Sequence, residues 1–375
     1  MSQIYYPVIT YCTNIHPGES WEETFDALRR HLPTIKAEFS PAEPFPVGLR
    51  LPARAVRELD ETSTGRFMEW LLRHDLFVPT INGFPYGAFH GTRVKEQVYL
   101  PDWRQPERVD YTIGIATLLD RLLPESVQGS LSTVPIRFGR ELPTEELAVV
   151  RKNLLRAMEH LDRLRQHSGK SILLALEPEP GCTLETTEDV VSFFQRMEFP
   201  HSLSWTLGVC LDCSHQAVQF ESPAEILGAL AAAGIPVGKV QISSALRIRD
   251  PDLIALERFC EPAYLHQTVV RDVKGKLWRY DDLPQALRLH PSGGGDEWRV
   301  HFHLPVFVEG MPGYGTTRSF IESLLPLLED TMLLEVETYT WEVLPPELRM
   351  NSVDGSIVRE LQWLKGAVDA TNRRP

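Results

Sequence analysis

With 375 residues, 43% of them hydrophobic and 24% charged, the chain can bury a full core and has none of the composition of a disordered or fibrous protein. Its net charge of −13 argues against a nucleic-acid partner, which needs clustered Lys and Arg; Arg151-Lys152 and Arg373-Arg374 are only pairs. No long apolar stretch occurs and the start MSQIYYPVITYC carries no basic leader, so the expectations are no membrane span and a cytoplasmic protein whose five scattered cysteines are reduced thiols.

In chain order, short apolar β-rich runs alternate with helical patterns. Strands are predicted at Pro7–Cys12, Val47–Leu51, Val78–Asn82, Gly129–Pro135, Ile172–Glu177, Leu207–Asp212, Lys239–Ser243 and Met332–Glu337. Helical periodicity marks Glu22–Leu32, Glu146–Gln166 and Thr187–Met197 between them. Eight βα units with strands apolar on both faces predict an α/β fold, a single (β/α)8 TIM barrel spanning 1–375. Two stretches break the rhythm. After strand three comes the aromatic loop FPYGAFHGTRVKEQVYLPDW; after strand seven comes an insertion of about 245–315, with a β-hairpin turning at Lys274-Gly275 and a further strand in EWRVHFHLPVFV. Long loops at the C-terminal end of barrel strands carry function.

The most informative pattern is where acids fall. LLALEPEPG ends in Glu177 and Glu179, GVCLDCSH in Asp212 and His215, and MLLEVETYTW in Glu335 and Glu337. An unpaired buried carboxylate costs several kcal/mol, so acids closing apolar strands need a shared counter-charge, and a divalent metal supplies one. Strand seven, VGKVQISSA, offers the amide oxygen of Gln241 beside them. The carboxylate pattern makes Glu177, Asp212 and Glu335 the predicted ligands. Alternate strand residues share a face, so Glu337 remains open in place of Glu335, and Glu179 in place of Glu177. An oxygen-rich shell favours one Mg²⁺ or Mn²⁺ ion, and a nearby His admits Zn²⁺. Catalytic roles are predicted for Glu177 and Glu335, exchanging a proton, and for His215, orienting a substrate oxygen. Substrate-binding roles are predicted for His303 in the insertion, for His16 and His90 in loops after strands one and three, and for Asn82 and Glu337 at strand ends. The Cys210–Cys213 spacing lacks the second pair a structural zinc site needs, so those residues are expected to pack.

These strand-terminal residues resemble the xylose isomerase-like TIM-barrel superfamily of sugar-phosphate isomerases, epimerases and endonuclease IV-type enzymes. The resemblance implies a metal on a Glu closing strand five, the Asp of a D-x-x-H on strand six, a His or Gln on strand seven and a Glu closing strand eight. The matching positions are Glu177, Asp212, Gln241 and Glu335. More narrowly, YCTNIHPGESW, NGFPYGAFHG with VKEQVYLPDW, and LEVETYTWEVLP resemble the TIM-barrel family of Ebo "metabolite traffic" proteins. That resemblance implies a role in moving secondary-metabolite precursors, with other proteins of that pathway as partners. Together they imply a metal-dependent isomerase or epimerase acting on a small carbonyl or polyol metabolite. A non-catalytic metabolite carrier built on the same barrel site is the alternative.

Overall fold

The computed structural model describes residues 7–249, 256–291, 294–311 and 313–372. Seven strands follow one another along the chain: β1 (Val8–Tyr11), β2 (Phe45–Arg50), β3 (Leu76–Asn82), β4 (Gly129–Thr133), β5 (Ile172–Leu176), β6 (Leu207–Asp212) and β7 (Val237–Ile242). An insertion then contributes β8 (Ser244–Arg249), β9 (Thr268–Arg271), β10 (Leu277–Tyr280), β11 (Glu297–Leu304), β12 (Gly310–Met311) and β13 (Tyr314–Thr316), after which β14 (Leu333–Val336) returns to the first sheet. That sheet has eight parallel strands in the order β1-β14-β7-β6-β5-β4-β3-β2, and a parallel bridge between Cys12 and Gly48 brings its two edges together into a TIM barrel. The apolar runs predicted as strands are these eight, shifted by a residue or two at their ends.

Backbone approaches backbone closely where β1 meets β2. A Cβ added at Gly48 would lie 2.5 Å from the Tyr11 carbonyl oxygen and collide with the Glu335 carboxylate, so only glycine fits. Helices cover the outside. The first, Trp21–Phe39, begins with a reciprocal capping box between Ser20 and Glu23, and Thr186 with Asp189 forms another at Thr187–Met197. Leu28, Leu32, Phe67, Ile115, Leu154 and Leu361 from the helical layer are buried in the main core.

The insertion builds its own antiparallel sheet in the order β10-β9-β11-β8-β13-β12. Its hairpin turns at Gly275, whose φ of 84° is open to glycine at no steric cost. Side chains alternate along β11. Trp298, Val300, Phe302 and Leu304 enter a separate core with Leu246, Ile248, Phe259 and Val270, while His301 and His303 emerge on the opposite face and meet residues at the barrel's C-terminal mouth. Among the described residues no helix is long and apolar enough to cross a membrane.

Candidate metal centre

Glu177 is the first residue beyond β5, and its N–H donates to the Thr133 carbonyl of β4 at 3.1 Å. Asp212 ends β6 and caps the helix Cys213–Val218: its Oδ1 accepts from the His215 N–H at 2.9 Å and from the Ser243 hydroxyl at 2.7 Å. Glu337 follows β14, with Oε1 accepting from the side-chain amides of Asn14 at 2.7 Å and Asn82 at 3.1 Å. All three acids are buried. Glu177 Oε2 and Asp212 Oδ2 have no hydrogen-bond partner among the described residues. Burial first, then the neighbouring acids, pushes the Glu177 and Glu337 carboxyls well above the usual carboxylate range.

Three imidazoles stand beside them. His215 comes from the helix that Asp212 caps; His301 and His303 come from β11. Burial, reinforced by the neighbouring rings, pushes His301 well below its ordinary value, and burial takes His303 down to about 4, so both are neutral at pH 7. Ligand atoms within 4.8 Å of one another group His215 with His301 and His303, Glu177 with Asp212 and His215, and Asp212 with His303 and Glu337. Buried oxygens without partners, facing neutral nitrogens, fit a divalent cation.

Above this floor lies a small cavity of about 60 Å³. Glu177, Glu179, His215, His301 and Glu337 line its polar base, and Phe84, Phe89, Val98, Tyr264, Leu265 and Tyr339 form apolar walls. The aromatic loop after β3 therefore does border the pocket. Glu179 is fixed by Tyr99, whose hydroxyl donates at 2.8 Å, and by the Gln267 amide at 3.2 Å.

Several residues singled out in the sequence lie elsewhere. Glu335 points into the barrel and is ion-paired with Lys239, both fully buried; its other oxygen lies under Gly48. Burial opposes the charged form of Lys239, but the Glu335 carboxylate, with smaller contributions from Cys210 and Cys12, holds the ammonium above its ordinary range. Gln241, in register with Asp212 on the neighbouring strand, accepts from the Cys210 thiol at 3.4 Å. His16 is bonded to the Tyr11 hydroxyl at 3.0 Å, stacks on His31 and lines a separate small cleft with Pro17 and Gly18, so the structure does not bring it to the cavity. His90 meets the Asn14 carbonyl at 2.6 Å and braces that loop. Asn82 and His303 reach the centre. Asn14, His301, Tyr99 and Gln267 belong with it too, and only the shared face of His301 with His303 signalled any of them in the sequence.

No family model and no curated protein matches the chain. Among solved structures it is similar to a xylose isomerase-like TIM barrel protein from Mycobacterium smegmatis in complex with magnesium, at 11% identity over 98% of this chain and 97% of that one, with a TM-score of 0.52. It is similar to an L-ribulose 3-epimerase at 11% identity over 99% and 96%, TM-score 0.51. An IolI protein with a bound zinc atom matches at 13% over 98% and 99%, TM-score 0.50. At such identities the likeness is one of fold. Like these structures the chain is a TIM barrel, here carrying an extra antiparallel sheet.

Proposed function

We propose that the protein is a divalent-metal-dependent isomerase or epimerase of a small metabolite that carries a carbonyl next to a hydroxyl-bearing carbon. The observation that carries this reading is the set of buried strand-terminal acids, Glu177, Asp212 and Glu337, grouped with imidazoles beneath a cavity, with Glu177 Oε2 and Asp212 Oδ2 lacking a hydrogen-bond partner among the described residues. In this reading Glu337 takes the ligand place first expected of Glu335, because Glu335 is already neutralised by Lys239. A divalent ion held by the three carboxylates, Mg²⁺, Mn²⁺ or Zn²⁺, would polarise the substrate's carbonyl and neighbouring hydroxyl.

The chain's own groups do the rest. Glu177 and Glu337 rise from strands on either side of Asp212 and β7, so one removes the proton from the carbon and the other returns it. Asn14 and Asn82 both donate to Glu337 Oε1, which fixes that carboxyl and leaves its other oxygen to act. Tyr99 and Gln267 hold Glu179 at the cavity base, where it accepts from a substrate hydroxyl. The apolar walls exclude water from the reacting carbon and fit a substrate with an uncharged flank. The resemblance of YCTNIHPGESW, NGFPYGAFHG and LEVETYTWEVLP to the Ebo proteins makes the movement of secondary-metabolite precursors the setting of this reaction in our reading.

The test is proton exchange. Metal-loaded protein is incubated in D₂O with a panel of ketoses, aldoses and 2-hydroxy ketones and followed by NMR. Deuterium entering the carbon beside the carbonyl, and lost in Glu177→Gln and Glu337→Gln, supports the reading. Binding of a panel member with every carbon-bound hydrogen retained would instead make the protein a carrier.

A further inference from the structure

Each of the three imidazoles is oriented through its Nδ1. His215 Nδ1 lies 3.0 Å from the Pro178 carbonyl oxygen, and His303 Nδ1 lies 2.8 Å from the Glu337 carbonyl oxygen. Carbonyls only accept, so both rings carry their proton on Nδ1. His301 Nδ1 lies 2.7 Å from Gln267 Oε1. The Gln267 amide is held with Nε2 towards Glu179, 3.2 Å away, and the Pro180 carbonyl, 3.0 Å away, so its oxygen must face His301. That ring too is protonated on Nδ1.

The consequence falls on the other nitrogens. His215 Nε2 is 3.0 Å from His301 Nε2, which is 3.1 Å from His303 Nε2. With Nδ1 turned to an acceptor on every ring, the three Nε2 atoms point at one another, an arrangement that a cation shared between them satisfies. Zn–N bonds of about 2.0–2.1 Å in a tetrahedral site would place neighbouring nitrogens about 3.3 Å apart, close to what is seen. All three rings are buried and their orientation is fixed by carbonyl acceptors, the arrangement that holds a metal-binding imidazole in one tautomer.

We propose that Nε2 of His215, His301 and His303 bind a zinc-class transition-metal ion, a second position beside the carboxylate site, giving a two-ion centre. The insertion supplies two of its three ligands from β11, and the barrel supplies one. Its nitrogen donors select Zn²⁺, Co²⁺ or Fe²⁺, whereas Glu177, Asp212 and Glu337 suit harder ions. The site rests on the metal-centre reading of the barrel mouth, yet it depends on different side chains and can fail separately.

The experiment is metal analysis and spectroscopy of the full chain, stripped with a chelator and reloaded. Zinc X-ray absorption of the wild type loaded with one equivalent should show three imidazole shells, and Co²⁺ should give the intense visible bands of tetrahedral coordination. His301→Gln, which keeps a polar side chain in the cluster, should lose those bands and one equivalent of Zn²⁺ while binding Mn²⁺ within about twofold of wild type. Glu177→Gln should do the reverse, keeping the Co²⁺ bands and weakening Mn²⁺ at least tenfold. A zinc shell without imidazoles in the wild type would overturn the proposal whether or not any variant folds. So would unchanged Zn²⁺ stoichiometry and Co²⁺ bands in His301→Gln. Loss of proton exchange with the histidine spectrum intact would sink only the isomerase reading.

Discussion

Replacing Lys239 with methionine isolates what Glu335 does. Both side chains are fully buried in the barrel interior and ion-paired, so the substitution leaves a buried carboxylate without its counter-charge. Breaking a buried pair in this way costs about 3–5 kcal/mol. The carboxyl can escape by taking up a proton, which from an ordinary glutamate value of about 4.3 costs about 3.7 kcal/mol at pH 7 at 1.36 kcal/mol per pH unit. The two figures agree, and the second sets a ceiling. It also fixes the pH dependence: protonation at pH 5 costs only about 1 kcal/mol, so the defect in Lys239→Met should shrink by about 2–3 kcal/mol between pH 7 and pH 5. The double variant Lys239→Met/Glu335→Leu carries no charge and should recover most of the loss. The assay is urea unfolding of the metal-free protein at both pH values, alongside metal analysis of the folded variants. A loss under 1 kcal/mol at pH 7, or loss of bound metal from a Lys239→Met protein of normal stability, would refute the reasoning, because Glu335 would then belong to the metal centre.

Glu337→Gln should retain the fold and weaken metal binding at least tenfold, whereas Gln241→Ala should leave metal affinity within about threefold of wild type; calorimetric titration with Mn²⁺ reads both. Burial pushes the Glu360 carboxyl up to about 7, although Thr338 and the Val306 N–H donate to it. A raised acid binds more protons when folded, so its contribution is present below about pH 4.3 and is lost as pH rises to 7, a fall of about 3–4 kcal/mol. Glu360→Gln should flatten that part of the stability profile and be the more stable protein at pH 8, as thermal melts across pH would show. Gly48→Ala places a methyl group against Glu335 and the Tyr11 carbonyl at the barrel's closing seam; overpacking of this kind costs about 1–3 kcal/mol, and urea unfolding would reveal a smaller effect as an error in the strand pairing there.

The strands were legible because a barrel buries both faces of each, which leaves unbroken apolar runs that end where the chain leaves the core. The acids closing those runs marked the mouth, and Glu177 and Asp212 are both in the centre. The step from Glu335 to Glu337 was not legible. Two residues apart at the end of one apolar run, they read as sharing a face, and only depth in the barrel separates a lumen acid from a mouth acid. What fixes the depth is Lys239, an apparently ordinary lysine in VGKVQISSA that becomes a buried partner once β7 lies beside β14. His16 misled for a similar reason: a loop position says nothing about which way the ring turns, and Tyr11 and His31 hold it elsewhere. Asn14 had no periodicity to reveal it, because it sits in the short turn Thr13–Ile15 and meets Glu337 only through the parallel pairing of β1 with β14.

The insertion is joined to the barrel at the places where the chemistry lies. β8 begins one residue after Ser243, whose hydroxyl binds Asp212, and the Glu337 carbonyl receives the Nδ1–H of His303. Thr340, just past Glu337, donates its hydroxyl to the His303 carbonyl, so β11 is held against the segment following β14 from both sides of one residue. The insertion's separate apolar core keeps β11 rigid while its histidine face is spent on polar contacts. A loop without such a core would lose His301 and His303 to solvent, since burying polar rings costs free energy that their own contacts only partly offset. The extra sheet is thus the scaffold that brings two imidazoles to a barrel mouth that itself offers carboxylates and His215, and the identity of any ion bound there would follow from that division of ligands between the two parts.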